Sequence, residues 1–272
     1  MCKQYMIKMK LFLILLALVI TGPIFAANFD IGLEAASNGD WDTALKEWLP
    51  LAEKGNADVQ VRVGLYYNFG YGGGKINYLA AVNWYQRAVK NGNVAAKFWL
   101  GTMLEKGHGI DKDLEKAFDL YTESANKGFN LAQHHLGSLY DTGKIVELDK
   151  KKAFSWFMKA AEQGYSSAQN DIGRYYFEGI VVLQDYDTSK KWLTLSAEQG
   201  DSIGQFKLGL YYAITKNYTL AHMWLNLAAL NGDDESRRWR DNIQKDMSIS
   251  EVSMAQKLAR ECLDKTYKDC GN

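Results

Sequence analysis

Hydrophobic and polar residues recur along most of the chain with the spacing of amphipathic helices. One such segment covers residues 168–177, and its apolar positions share one helical face: Ala168, Ile172, Tyr175 and Tyr176. A second covers residues 152–163 and carries a wider apolar stripe: Ala153, Trp156, Phe157, Ala160 and Ala161. Gly164 follows directly, where a helix end favours a left-handed residue. The pattern predicts pairs of helices that are closed by glycine.

Two series of glycines show that this pattern is a repeat. The first has steps of 37, 36, 36 and 36 residues: Gly64, Gly101, Gly137, Gly173 and Gly209. The second has steps of 37, 36, 36, 36 and 32: Gly55, Gly92, Gly128, Gly164, Gly200 and Gly232. Seven residues before each of the second series stands an aromatic residue or leucine: Trp48, Tyr85, Tyr121, Phe157, Leu193 and Leu225. Columns kept in register over five units indicate repeated helix pairs.

The repeat determines the predicted fold. One helix pair cannot bury its apolar face alone, so neighbouring pairs must stack. We therefore predict an all-α, right-handed helical-repeat solenoid of antiparallel helix pairs. Residues 27–56 are expected to form an N-terminal helix pair, and residues 57–232 about five repeat pairs with a period of 36. Residues 233–272 are expected to form capping helices and a tail.

The segments over residues 168–179 and 152–164 resemble the Sel1-like repeat, a tetratricopeptide-related family with a unit near 36 residues. The resemblance covers roughly residues 40–232. It implies a scaffold for protein–protein interaction, which in bacteria is often exported and in some members acts in envelope complexes or host contact. One cysteine-rich subgroup has paired cysteines in every unit and a link to β-lactam binding. This chain lacks those pairs, which argues against that activity here.

The first 26 residues have the layout of a secretory signal. Three lysines precede ten uninterrupted apolar residues, 11–20, and residues 21–23 then break the helix. We predict cleavage between Ala26 and Ala27, which would place the mature protein in the periplasm or outside the cell. An uncleaved membrane anchor is the alternative, although residues 11–27 are just too short to span a bilayer comfortably. No stable membrane span is expected after cleavage.

Charge and cysteine content limit the expected partners and the expected state of the cysteines. The chain of 272 residues has 32 basic and 32 acidic side chains, and cleavage would remove three lysines, leaving 29 against 32. No excess of positive charge is available for phosphate contacts, so nucleic acid is not an expected partner. Cys262 and Cys270 remain after cleavage, and an even pair in an exported chain favours a disulfide over free thiols or a metal site.

Three segments resemble catalytic or nucleotide-binding motifs, but each one lacks part of the motif or its structural context. Residues 200–204 match G-x-S-x-G, but that hydrolase turn needs a preceding strand, and here both flanks are predicted to be helical. Residues 137–144 are one residue too long for a phosphate loop, and residues 70–74 follow a helix rather than a strand. We expect no catalytic residue, metal or cofactor, and so no enzyme. A periplasmic hydrolase or β-lactam-binding protein stays the alternative.

The expected binding surface is the concave face, which the first helices of successive pairs line in a helical solenoid. Four positions there change character between units, at −3, −2, +1 and +4 from the first glycine series, which suggests a solvent-facing stripe. The predicted partner-binding residues are Arg62, Leu65, Phe98, Trp99, Glu105, His134, His135, Asp141, Asp171, Arg174, Phe177, Phe206 and Lys207. Aromatic and charged groups together are typical of interaction hot spots. The expected partner is another protein or an extended peptide; a structural spacer is the alternative, and the oligomeric state is left open.

Overall fold

A computed structural model describes the backbone of residues 23–270 and the side chains of residues 28–270. The predicted signal segment lies outside the described residues up to residue 22. Its cleavage site between Ala26 and Ala27 falls where only the backbone is described, so export stays a prediction. No helix in the described part of the chain is both long and apolar enough to cross a membrane.

The described residues form fourteen α-helices and no strand, which confirms the all-α prediction. The helices are α1 (Pro23–Ser37), α2 (Trp41–Glu53), α3 (Ala57–Phe69), α4 (Tyr78–Lys90), α5 (Val94–Lys106), α6 (Leu114–Asn126), α7 (Asn130–Thr142), α8 (Lys150–Glu162), α9 (Ser166–Glu178), α10 (Tyr186–Ala197), α11 (Ser202–Ile214), α12 (Tyr218–Leu230), α13 (Asp234–Ile243) and α14 (Ile249–Asp264). Short 3-10 turns occur at Tyr71–Gly73 and Gln244–Asp246. We call α3, α5, α7, α9 and α11 helices A, and α4, α6, α8, α10 and α12 helices B.

The described chain divides into two compact units. Unit 1 extends to Ala132, and unit 2 begins at Gln133. Within a repeat, helix A and helix B are joined by seven or eight residues, except for three residues between α11 and α12. Three or four residues connect each helix B to the next helix A.

Local capping chemistry explains where the helices start and stop. Every helix B is preceded by an Asn or Asp whose side chain accepts the N–H three residues later: Asn77, Asp113, Asp149, Asp185 and Asn217. The second glycine series, which follows α2 and every helix B, adopts left-handed backbone with φ between 75° and 98°. Because an L side chain is strained there, these glycines end the helices at a fixed interval.

The first glycine series has a different cause, which is close packing of helix A on helix B. A Cβ added at these glycines would stand only 2.5–2.7 Å from the side chain of the partner helix. The pairs are Gly64 with Tyr85, Gly101 with Tyr121, Gly137 with Phe157, Gly173 with Leu193, and Gly209 with Leu225. The large side chain seven residues before the second series therefore lies on bare helix backbone. The first glycine series and the large residues of helix B are therefore the two sides of one contact.

The N-terminal pair, α1 and α2, uses the same contact. Gly32 lies against Trp48, which is fully buried, and the Trp48 Nε1 donates to the carbonyl oxygen of Phe29 at 3.4 Å. Phe29 and Trp48 belong to a core cluster that continues onto Val59 and Val63 of α3. This pair is therefore built as a shortened repeat.

Four of the five helices A carry a glutamine that hydrogen-bonds to an adjacent helix. The amide of a helix A glutamine donates to a carbonyl near the end of the preceding helix, as in Gln60 with Ala52 at 2.8 Å, Gln169 with Ala161 at 3.3 Å, and Gln205 with Ala197 at 3.3 Å. Its oxygen accepts from an amide at the end of helix B, as in Asn91 to Gln60, Gln163 to Gln133, Gln199 to Gln169, and Asn231 to Gln205. Buried backbone acceptors are thereby satisfied. Lys97 replaces the glutamine in the second repeat and pairs with Glu123.

The C-terminal segment packs against the last repeat of unit 2. Ala259 and Cys262 of α14 join a core cluster with Leu208 and Trp224. Cys262 and Cys270 form a disulfide, with their Cα atoms 5.1 Å apart. The tail that this bond closes includes Tyr267, which contacts the same cluster.

Candidate partner-binding surface

The predicted stripe lies at the border between core and solvent. The sequence pattern predicts a solvent-facing stripe, and the structure differs at two positions, because Arg62 and Phe98 are buried with 7% of each exposed. The other eleven predicted residues are half-buried. Most of the predicted stripe is therefore partly covered by neighbouring side chains.

Arg62 of unit 1 serves as a packing residue. Its guanidinium lies 5.2 Å from the ring centre of Phe29 and 5.7 Å from that of Trp48. Burial lowers the pKa of Arg62 to about 10, although the negative charge of Asp58 opposes this shift. Its Nε makes no hydrogen bond within the described residues. Arg62 is therefore turned toward the N-terminal pair rather than toward a partner.

Phe98 is likewise enclosed by other rings of unit 1. Its ring centre lies 5.6 Å from that of Tyr121 and 5.7 Å from that of Phe129. Nearby, the Tyr121 hydroxyl donates to Glu105 Oε2 at 2.6 Å, and burial together with this contact raises the pKa of Tyr121. Glu105 is thus held in place by a side chain of its own repeat.

An accessible apolar surface nevertheless exists in unit 1, and we call it the unit-1 apolar patch (Leu65, Phe69 and Trp99). The Trp99 ring lies edge-on to Phe69 at 5.9 Å and parallel to Tyr85 at 6.5 Å. Leu65 and Trp99 pack on one buried cluster, while Phe69 at the end of α3 is 46% exposed. Sequence reasoning missed Phe69, which stands one position beyond the chosen columns.

Unit 2 carries a group of charged side chains on its helix A face, which we call the unit-2 charged network (His134, Asp141, Asp171 and Arg174). Asp141 accepts from Lys150 Nζ at 2.8 Å and Arg174 Nη2 at 3.1 Å, and also from the Tyr175 hydroxyl. His134 Nε2 lies 3.0 Å from Asp171 Oδ2. Four predicted residues are therefore brought together, but largely to satisfy one another.

The pKa of Asp141 reflects this network. Burial disfavours the charged carboxylate, but hydrogen bonds from Lys150 and Tyr175 and the charge of Arg174 outweigh it, so the pKa lies below its usual value. A carboxylate with a lowered folded-state pKa stabilises the fold above its unfolded-state pKa. That contribution disappears as the pH falls through the folded-state pKa.

Asp141→Asn is therefore expected to lower the free energy of unfolding by about 1–2 kcal/mol at pH 7, since the network is partly solvated. The difference from the parent should shrink as the pH falls below the unfolded-state pKa of about 3.9 and through the lower folded-state pKa of Asp141. Urea unfolding across this pH range measures it. Asp119→Asn, at an exposed position of α6, is the control and should cost little. A loss that is independent of pH would contradict an electrostatic role.

The remaining predicted residues of unit 2 lie beside or beyond this network. His135 is half-buried on α7, and Phe177 packs edge-on against Tyr186 at 5.3 Å. Phe206 and Lys207 of α11 line a cavity of about 430 Å³ that also includes Ile203 and the turn at residues 231–233. Sequence reasoning missed Ile203, which stands six residues before Gly209 and outside the four chosen columns, and it missed the turn, which follows α12.

The G-x-S-x-G segment forms part of the same cavity. Asp201 caps α11 by accepting the N–H groups of Ile203 and Gly204, and Ser202 is the first helical residue. α10 precedes the segment and α11 follows it, so the strand that a hydrolase turn requires is replaced by helix. Within the described residues, no group of three His, Cys, Asp or Glu side chains could hold a metal ion.

Comparison with known families identifies the repeat. The Sel1 repeat profile matches five consecutive segments: residues 57–93, 94–129, 130–165, 166–201 and 202–233. The chain belongs to the Sel1 repeat family. Each matched Sel1 repeat contains one helix A and one helix B. The profile begins after α2, so the shortened pair α1–α2 is identified by its glycine–tryptophan contact instead.

Curated Sel1 relatives are much longer than the region they share with this chain. Human protein sel-1 homolog 2 is 40% identical over 82 residues, which is 30% of this chain and 12% of that protein. The Arabidopsis thaliana ERAD-associated E3 ubiquitin-protein ligase component HRD3B is 36% identical over 76 residues, 28% of this chain and 11% of that protein. This chain thus spans about an eighth of these relatives or less.

Solved structures share the fold over most of the chain. A Sel1 repeat protein from Oxalobacter formigenes has a TM-score of 0.71 and 26% identity, covering 86% of this chain and 99% of that one. The immunity protein Pa5087 from Pseudomonas aeruginosa has a TM-score of 0.55 and 19% identity, covering 83% and 84%. The second likeness concerns the fold alone.

Proposed function

We propose that this protein is an exported, non-catalytic adaptor that binds another protein through the helix A face of its Sel1 repeats. Its place of action is the bacterial envelope or a contact with a host. The observation that carries the proposal is the unit-1 apolar patch, where Trp99 and the exposed Phe69 lie edge to face beside Leu65. Rigid aromatic groups of this kind supply most of the binding energy in protein interfaces.

The family supports the coarser part of this proposal. Sel1 repeats mediate protein–protein interaction, and Sel1 repeat proteins are generally scaffolds without catalytic activity. The Arabidopsis relative is named as a component of a ubiquitin-protein ligase, and we extend only the idea of membership in an assembly to this chain. Export rests on the charged, apolar and helix-breaking segments within residues 1–26.

The binding test compares two tryptophan variants of the first two repeats. Trp99→Ala removes the centre of the unit-1 apolar patch. Trp84→Ala is the matched control, since Trp84 is also half-buried but lies on helix B under Arg87, whose guanidinium is 4.3 Å from its ring centre. Each purified variant is crosslinked in the envelope fraction of the native host, and captured proteins are identified by mass spectrometry.

Capture of a defined partner should fall about tenfold or more for Trp99→Ala and stay near the parent level for Trp84→Ala. Circular dichroism must show both variants folded with similar thermal midpoints. Equal capture by both variants would move the interface away from the helix A face of unit 1. If no substitution on that face changed the capture of the partner, the structural spacer would be favoured instead.

A further inference from the structure

One histidine is buried at the C-terminal end of the last repeat. His222 lies on α12 with only 1% exposed, and its Nε2 is 3.1 Å from Oε1 of Gln244, in the 3-10 turn at Gln244–Asp246. Because a carbonyl oxygen only accepts hydrogen bonds, Nε2 donates to it and carries the ring proton. Nδ1 then holds the lone pair, and this buried atom has no hydrogen-bond partner within the described residues. The geometry therefore fits the neutral Nε2–H tautomer of His222.

The hydrogen bond from His222 helps to attach a C-terminal cap, by which we mean α13 and the 3-10 turn that follows it. Arg240 Nη1 of α13 donates to Asn226 Oδ1 at 2.9 Å, about one turn after His222 on the same face of α12. Ile243, at the end of α13, is buried with 6% exposed in a cluster with Leu225 of α12. His222 thus belongs to the contact surface between α12 and the C-terminal cap.

Within the described part of the chain, no carboxylate contacts the His222 ring. The charged groups that act on the ring are Arg240 and Asp241, both on α13. Asp241 is bound to Arg240, whose Nη2 lies 2.7 Å from Asp241 Oδ1. Helices α11 and α14 also pack on α12, and neither places a charged side chain among the groups that act on the ring. His134 of the same unit differs, since its Nε2 lies 3.0 Å from Asp171 Oδ2.

These surroundings disfavour the charged form of His222. Burial lowers the pKa of His222 below its ordinary value of about 6.5, although the hydrogen bond to Gln244 opposes this shift; Arg240 lowers the pKa further and Asp241 raises it. Above this ordinary value the ring is neutral whether the C-terminal cap is attached or released. As the pH falls below it, the released state binds a proton that the attached state excludes. Release is therefore favoured about tenfold more per pH unit, until the pH reaches the lowered pKa of the attached state.

We propose that His222 makes the attachment of the C-terminal cap sensitive to acid, so that protonation of Nδ1 favours release of the cap as the pH falls below about 6. The added N–H group would lie in a buried site without an acceptor, whereas release allows water to solvate it. Release would also uncover apolar surface, because Phe206 and Tyr212 of α11 pack against the cluster that contains Ile243. The last repeat would then present additional apolar surface in an acidic compartment.

Two measurements on the purified chain test this proposal between about pH 7.5 and about pH 5, a range that spans the ordinary pKa of histidine. Long-range ¹⁵N–¹H NMR of the imidazole rings reports the tautomer and the protonation of each histidine. Hydrogen exchange, corrected for the effect of pH on the exchange chemistry, reports the opening of residues 234–246.

Three variants accompany the parent in both measurements. His222→Gln removes the titrating ring, keeps an amide that can donate to Gln244, and identifies the NMR signals of His222 by their loss. Gln244→Glu places a carboxylate beside Nε2, so that a positive ring gains a counter-ion. His135→Gln, at a half-buried position of α7, is the matched control for the loss of a histidine in unit 2.

In the parent and in His135→Gln, opening of residues 234–246 should increase about tenfold per pH unit below about pH 6.5, and the His222 ring should be the neutral Nε2–H tautomer at pH 7.5. In His222→Gln and Gln244→Glu, opening should change no more than about twofold over the same range. An equal increase in His222→Gln, or a ring that titrates at its ordinary pKa while the C-terminal cap stays protected, would overturn the proposal. If His222→Gln does not fold, an Nδ1–H tautomer in the parent or an undiminished acid response of Gln244→Glu would overturn it instead.

Discussion

Phe157→Ala is expected to lower the free energy of unfolding by about 3–5 kcal/mol, the range for removing a fully buried ring. Only 1% of Phe157 is exposed, and its ring lies on the bare backbone of helix α7 at Gly137. The cavity left behind would open between two helices that the ring holds at a fixed distance. Urea unfolding followed by circular dichroism measures the loss.

Trp156→Ala is the control for this prediction. Trp156 precedes Phe157 on α8 and is larger, but it is half-buried and its indole ring lies under the Lys159 ammonium at 4.0 Å. Its truncation should cost no more than about 1 kcal/mol. A similar loss from both variants would show that helix α8 responds to lost aromatic surface in general, rather than to the glycine contact.

A double-mutant cycle with Gly137 then isolates the contact. Gly137→Ala alone should destabilise by about 1–3 kcal/mol, because the new Cβ would stand 2.5 Å from Cδ1 of Phe157. In the Phe157→Ala background the same change should be neutral or stabilising, since the space is free and alanine favours a helix over glycine by about 1 kcal/mol. Additive losses would contradict the packing explanation of the glycine column.

The sequence reveals the helix pairs because two physical requirements repeat at one interval. A left-handed residue ends each helix B, and a missing Cβ admits a large side chain from the partner helix. Both requirements select glycine, so they are visible without a structure. Gly32 meets the second requirement in the N-terminal pair, but its distance from Gly64 is 32 residues rather than 36 or 37. A shortened repeat hides the residue from a search at constant period.

The glutamine hydrogen bonds between helices escape the same reasoning for a different cause. Gln169 sits on helix α9 among polar neighbours, which is the pattern of a solvated surface. Its amide bonds Ala161, eight residues earlier, and its oxygen accepts from Gln199, thirty residues later. Neither partner is implied by helical periodicity, and both are supplied by adjacent helices. Buried hydrogen bonds of this kind are specified by stacking rather than by local pattern.

On the candidate surface, a residue that differs between repeats is not necessarily exposed to solvent. Residues that differ between repeats, such as Trp99 and Arg174, were expected to face solvent, yet both are half-buried. Within each unit, side chains of one helix A contact the next helix A, as Phe69 contacts Trp99 and Asp141 contacts Arg174, so varying side chains must fit a neighbour as well as meet water. The position that Asp141 occupies differs between repeats because Asp141 pairs with Arg174 within unit 2. Some of the varying side chains therefore pair with one another within a unit, and only the others are available to a partner.

The C-terminal tail supplies the second large effect, since Cys270→Ser is expected to lower the free energy of unfolding by about 2–3 kcal/mol. The disulfide spans eight residues and joins the tail to Cys262, which is buried in the core of the last repeat. Within that loop Thr266, Tyr267 and Asp269 have φ values of 52°, 67° and 49°. Left-handed backbone is unfavourable for these residues, so the closed loop depends on its crosslink and on the packing of Tyr267.

Without the bond, the tail should leave the surface that Tyr267 covers at Gly200, where a Cβ added to the glycine would stand 3.1 Å from the Tyr267 ring. Hydrogen exchange should rise over residues 265–270 and at the start of α11 in the Cys270→Ser variant. Reductant should produce the same two changes in the parent and none in the variant, which makes the variant its own control for side effects of the reagent. Unaltered exchange at α11 would mean that the tail lies on the last repeat without supporting it.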